Sequence, residues 1–196
     1  MNKVQELDLE WEICAANDPE SVFIQQAMHQ IEAFNSREPR IPAYESSHFN
    51  SAAGLLQLMR QQAGALDLTS GLRFCEWGSG FGVVTCLAAM AGFDACGIEI
   101  EMKLIESANQ LALDAGIDAR FIHGSYRPDS FFDHDTRASD FHELLGFSPF
   151  DFDVIYIYPW PAEAAHVDRH FYELGKPDSI LISYQGGGRF RIQRHL

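Results

Sequence analysis

The sequence predicts an α/β fold in which a parallel sheet carries helices on both faces. From Leu72 onward, short apolar runs alternate with amphipathic helical patterns, the signature of strand–helix–strand units. The first run passes directly into three closely spaced glycines, Gly78, Gly80 and Gly82, and then into a helix-patterned stretch. The chain has 196 residues, 46% of them hydrophobic, which suits one domain with a real core and is short for two.

Each element follows from its local pattern. Asp18 as N-cap and Pro19 at the first helical position open a helix whose apolar residues Phe23, Ala27, Ile31 and Phe34 recur at helical spacing. The stretch "SREPRIP" ends it. A second helix is expected from about 51 to 63, with Ala52, Leu55, Leu56 and Met59 on one face. Residues 1–70 thus read as an N-terminal helical extension packed on a core of residues 71–196, the whole forming a single globular unit. The core strands are "LRFCEW", "DACGIEI", "ARFIHG", "FDVIYIYP" and "SILISYQ". Helices between them begin near Phe81, Glu101, Asp135 and Pro161. Gly116 marks the end of the second of these, and Gly175 with Pro177 the end of the fourth. The long connection from 124 to 150 is expected to hold a short helix around 136 to 145.

Composition excludes several function classes. A formal charge of −14 and a sequence pI near 4.8 repel polyanions, so a nucleic-acid partner is not expected, although "RFRIQRHL" at the end is locally basic. No stretch has the length of a membrane span, and "MNKVQELDLEWEI" has the wrong charge order for export, so the expected location is the cytoplasm. Cys14, Cys75, Cys86 and Cys96 form no C-x-x-C pair and read as buried thiols. His123, His134 and His142 with Asp133 and Asp135 fit no ligand spacing, and no metal is expected.

The glycine turn suits an anionic group, phosphate or carboxylate, because glycines at positive φ bring backbone N–H groups close to a ligand at a helix N-terminus. A dinucleotide turn would read G-x-G-x-x-G, whereas here the third glycine comes one residue early and Val83 stands in the expected glycine position. The chain shows E-x-G-x-G-x-G from Glu76 to Gly82, and a second acid, Glu99, ends the next strand. Two acids flanking the turn disfavour phosphate.

This pairing of motifs resembles the class I S-adenosylmethionine-dependent methyltransferases, over about residues 72 to 184. The resemblance implies a Rossmann-like sheet of strand order 3-2-1-4-5, with a truncated antiparallel edge because only "GGGRFRIQRHL" remains after the fifth strand. It implies S-adenosyl-L-methionine as cofactor. Glu76 would lie near the methionine part, with Gly78, Ser79, Gly80 and Gly82 alongside the amino-acid portion. Glu99 would take the ribose hydroxyls, and Ile100 would flank the adenine. Where the family often has an acid after its third strand, this chain offers Gly124 and Ser125.

At the end of the fourth strand the tetrad Tyr158, Pro159, Trp160, Pro161 resembles the acceptor motif of amino-methylating members but lacks its leading acid, asparagine or serine. Backbone carbonyls at Tyr158 or Pro159 are left to orient an acceptor there. Tyr158 and Trp160 are the catalytic candidates, with Trp160 held between two prolines as either a core aromatic or the floor of an acceptor pocket. Residue frequencies favour Tyr158 as a core residue. "YESSHFNS", beginning at Tyr44, either lines the cofactor mouth or packs on the sheet. Gly186 to Gly188 form a turn at the ligand-bearing edge. The expected function is methyl transfer to a small-molecule or protein acceptor, with no nucleic-acid or membrane partner. The alternatives are a non-catalytic S-adenosylmethionine-binding or scaffold protein of the same fold and, less favoured, a nucleotide-dependent oxidoreductase.

Overall fold

A computed structural model describes residues 3–7, 15–37, 48–66, 68, 72–127, 148 and 150–196. The elements in chain order are β1 (Val4–Glu6), α1 (Asp18–Arg37), α2 (Phe49–Gln61), β2 (Arg73–Trp77), α3 (Val83–Met90), β3 (Asp94–Glu99), α4 (Met102–Ala115), β4 (Arg120–His123), β5 (Val154–Ile157), α5 (Ala164–Leu174), β6 (Ile180–Tyr184) and β7 (Phe190–His195). They form one seven-stranded sheet of order β1-β7-β6-β5-β2-β3-β4. The five parallel strands β4-β3-β2-β5-β6 give the expected order 3-2-1-4-5, paired in parallel throughout.

The edge differs from expectation. The C-terminal stretch supplies one antiparallel strand, β7, and β1 from the N-terminal extension supplies a second, pairing Val4 with His195. The extension is therefore not wholly helical. A three-residue strand reading "VQE" is too short to show alternation, and only its partner reveals it.

Strand alternation divides the core by face. Phe74, Val154, Tyr156, Ile180 and Ile182 point to the side covered by α1 to α4, while Cys75, Trp77, Ile155, Ile157 and Leu181 point to the side covered by α5. Leu55, Leu56 and Met59 of α2 are fully buried on the first side, as their spacing predicts. Three of the four cysteines, Cys75, Cys86 and Cys96, are free and buried, and burial pushes the Cys86 and Cys96 thiols up to about 12. Cys14 lies outside the described residues, as do 128–147, the span of the short helix expected around 136 to 145.

One helix end corrects the sequence reading, and another lies where expected for a different reason. The cap of α1 is Asn17, not Asp18. Its side-chain oxygen accepts from the Glu20 amide while the Glu20 carboxylate accepts from the Asn17 amide, each at 3.0 Å, a reciprocal capping box. Gly116 takes the left-handed conformation that closes α4, but Gly175 after α5 is extended (φ −59°, ψ 142°). Its role is space, since a Cβ there would stand 2.5 Å from the Phe171 carbonyl oxygen and 2.8 Å from the His195 ring.

Candidate functional site

The sheet's carboxyl edge opens into a cavity of about 820 Å³ where the strand order reverses between β2 and β5. Ligands of open α/β sheets bind at such a switch point. All but one of the residues expected to form the site, whether for cofactor or acceptor, line this one cavity: Glu76 and the turn Gly78, Ser79 and Gly80 on one wall, Glu99 and Ile100 beside them, Gly124 and Ser125 after β4, and Tyr158 and Trp160 after β5. Gly82 alone stands behind the lining, at the N-cap of α3.

The turn depends on its glycines. Gly78, Gly80 and Gly82 have φ of 71°, 54° and 70°, a region costly for residues with a Cβ. At Gly82 a Cβ would also stand 2.3 Å from the Phe121 ring and 2.9 Å from the Ala108 Cβ. The amides of Gly78 and Ser79 both donate to the Ile98 carbonyl, tying the turn to the end of β3. Gly97, which the sequence reading passed over, completes the fit: a Cβ there would stand 2.7 Å from the Ser79 side chain. The Ser79 hydroxyl is buried against Gly97 with no hydrogen-bond partner among the described residues.

The two acids are held differently. One oxygen of Glu76, Oε2, accepts both the Thr85 amide at 2.8 Å and the Thr85 hydroxyl at 2.6 Å. Glu76 therefore caps α3 and lines the cavity at once, leaving Oε1 for the cavity side. Burial, opposed by the two Thr85 hydrogen bonds and assisted by the charge of Glu99, pushes its carboxyl up to about 8. Glu99 instead accepts three backbone amides, from Gly80 (2.9 Å) on Oε2 and from Ile100 (2.8 Å) and Glu101 (3.0 Å) on Oε1. A carboxylate has about four acceptor positions, so one remains without rearrangement.

Beyond β5 the wall is aromatic. Tyr158 and Trp160 are each 39% exposed, so neither is the core residue that one reading of each allowed. The Tyr158 ring stands edge-on to Tyr184 at 4.7 Å. The Trp160 carbonyl accepts the Glu163 and Ala164 amides, turning the chain into α5. Three contributors were not anticipated. Tyr126 stacks on Trp77 (4.7 Å, 2° between planes), Arg127 lies over the Tyr126 ring, and Arg127 forms an ion pair with Glu163. Their only sequence signal was position, just after β4 and just before α5. Of the stretch beginning at Tyr44, Phe49 lines the cavity, and 44–47 lie outside the described residues.

His123 is exposed, its Nε2 2.9 Å from the Ile100 carbonyl, while Asp133, His134, Asp135 and His142 lie outside the described residues. Among the described residues no three His, Cys, Asp or Glu gather as metal ligands, and no helix is long and apolar enough to cross a membrane. The basic C-terminal stretch is partly structural: Arg191 pairs with Asp168 and Glu6, and Arg194 donates to the Leu66 carbonyl.

The sequence matches no protein-family model and no curated protein. Solved structures do match. A methyltransferase from Geobacter sulfurreducens superposes with TM-score 0.55 at 14% identity, covering 92% of this chain and 91% of its own. An O-methyltransferase from Bacillus cereus, solved with SAH, gives 0.53 at 17% over 90% of this chain and 68% of its own. The O-methyltransferase TomG from Streptomyces achromogenes, solved with SAM, gives 0.52 at 17% over 87% and 66%. The chain thus spans about two thirds of the two O-methyltransferases and nearly all of the first. With the strand order and the glycine turn, these matches establish that the chain has the Rossmann-like fold of the class I S-adenosylmethionine-dependent methyltransferases.

Proposed function

We propose that the protein transfers a methyl group from S-adenosyl-L-methionine to an acceptor bound beside Tyr158 and Trp160. The observation that carries this reading is the convergence of the E-x-G-x-G-x-G turn, Glu99 and the aromatic tetrad on one cavity at the switch point of the sheet. The neighbours solved with SAM and SAH support the choice of cofactor.

The residues fit that molecule. The buried Ser79 hydroxyl has no hydrogen-bond partner among the described residues, and Glu76 keeps one oxygen for a cationic group. Glu99 keeps one acceptor position for a ribose hydroxyl, and a second hydroxyl would be taken as the Gly80 amide gives up its bond. Ile100, 48% exposed, offers an apolar flank for the adenine. The bound cofactor supplies an activated methyl at a sulfonium. The protein's own contribution is to align the acceptor behind that methyl and exclude water, which needs position more than a strong base.

A thermal-shift titration with S-adenosylmethionine, S-adenosylhomocysteine, NAD and NADP tests this. A ligand at 100 times its Kd adds about 2.7 kcal/mol of stability. For a domain of this size that is a rise of roughly 5 to 10 °C. The first two ligands are expected to give it. A shift with NAD or NADP and none with the first two would overturn the reading in favour of a dinucleotide enzyme.

A further inference from the structure

Charge and polarity are unevenly distributed within the cavity. Glu76, Glu99 and Glu101 gather at the β2–β3 end. At the β5–β6 end the charged side chains among the described lining residues are Arg127 and Glu163, and they neutralise each other as an ion pair. That pair is braced, because Arg127 lies over the Tyr126 ring and Tyr126 stacks on Trp77. The end is therefore stiff, aromatic and without net charge.

Two polar side chains there bear on a ligand, Gln185, whose amide nitrogen donates to the Ser183 carbonyl, and Tyr158. Tyr184 spends its hydroxyl accepting from the Gly188 amide at 3.2 Å, whereas the Tyr158 hydroxyl has no partner among the described residues. The hairpin turn beside it is built from glycines at positive φ, and even a Cβ on Gly186 would come within 4.0 Å of that hydroxyl. The exposed Trp160 and Tyr158 lie on a backbone that Pro159 and Pro161 restrict, and the Tyr158 ring is further held edge-on to Tyr184.

We infer that the β5–β6 end is an acceptor subsite for an uncharged, planar aromatic small molecule, held against Trp160 and Tyr158 with the Tyr158 hydroxyl as its polar contact. The inference rests on the methyl-transfer reading and deepens it by naming the acceptor class. Flat aromatic rings gain offset or edge-on contact with such walls, which a saturated ring of the same size cannot match. A cation or an anion would have to leave water for an end whose charges are already paired.

The test is calorimetric titration of 2-naphthol, decahydro-2-naphthol, the N-methylquinolinium cation and 2-naphthoate, into the protein alone and saturated with S-adenosylhomocysteine. Naphthol is expected to bind at least tenfold tighter than each of the other three. Trp160→Ala should weaken naphthol at least tenfold, and Tyr158→Phe three- to tenfold, with S-adenosylhomocysteine affinity within threefold of the parent. Tyr158→Phe removes only the hydroxyl, so it reports on the contact even if Trp160→Ala fails to fold. Equal affinity for flat and saturated alcohols, tightest binding of a charged probe, or undiminished naphthol affinity in Tyr158→Phe would overturn the inference. Failure of S-adenosylhomocysteine to bind, with naphthol selectivity intact, would overturn the methyl-transfer reading and leave the aromatic subsite standing.

Discussion

The two ends of the cavity reach rigidity by different routes. The β2–β3 end is fixed by backbone: three left-handed glycines, two amides on the Ile98 carbonyl, and a Glu99 carboxylate that gathers three more amides. The β5–β6 end is fixed by side chains, through the Trp77–Tyr126 stack, the Tyr158–Tyr184 contact and the Arg127–Glu163 pair. A site held by backbone tolerates little change in the residues that shape it. One held by side chains can change specificity by substitution without losing its frame, which is what a shared cofactor and a private acceptor require.

The largest expected effect breaks the backbone end. Gly82→Ala combines a φ of 70° with a Cβ 2.3 Å from Phe121, and should cost about 1 to 3 kcal/mol for backbone strain alone, more with the clash. The corresponding insult at the other end, Trp160→Ala, should shift Tm little, since that residue is 39% exposed. Denaturant melts of the two variants would separate these cases, and equal losses would break the contrast.

Next comes Glu99→Ala, which should weaken S-adenosylhomocysteine by roughly 1 to 3 kcal/mol, the usual cost of removing hydrogen bonds to a charged group. Part of that loss should come from a loosened turn, because the Gly80 amide is left without its acceptor. Amide exchange at Gly80 in the unliganded variant would sharpen the point: it should speed up, and an unchanged rate would confine the role of Glu99 to the ligand.

Glu76 gives the pH dependence. Its carboxyl ionises near 4.5 in the unfolded chain and near 8 in the folded one, so between those values the folded state holds a proton that the unfolded state has lost. The stability it contributes is greatest below pH 4.5 and falls as pH rises to about 8. Glu76→Gln should flatten that part of the stability curve, as measured by urea melts from pH 5 to 8. A slope identical to the parent's would mean that Glu76 ionises normally. The smallest effect is expected from Arg169→Ala, which breaks an exposed i,i+4 pair with Glu173 and should cost less than about 0.5 kcal/mol.

The sequence pointed to residues at both ends of the cavity, Tyr158 and Trp160 among them, wherever local spacing carried the signal. Glu76, the glycines and Glu99 were legible because a backbone turn needs fixed residue types at fixed spacing, and the parallel strands followed from their alternation with helices. Thr85 was not, since nothing in "VVTCL" says that its hydroxyl and amide would both serve Glu76 nine residues earlier. Gly97 reads as an ordinary weak spot in a strand until the Ser79 side chain is set across it. The Arg127–Glu163 pair and the Tyr126 stack join segments that only the folded sheet brings together. Strand β1 escaped because three residues carry no period. The cap of α1, by contrast, was legible as N-x-x-E at Asn17 and Glu20, but the Asp-Pro pair beside it suggested a start one residue later.

The central claim is that cofactor and acceptor occupy opposite ends of one cavity, and amide hydrogen exchange with and without saturating S-adenosylhomocysteine tests it most directly. Exchange should slow at residues 78–82 and 99–101, where the backbone end would close on the ligand, and stay unchanged at 160 and 162–164 beside the aromatic wall. Slowing confined to 160–164, or no change at either end, would contradict it.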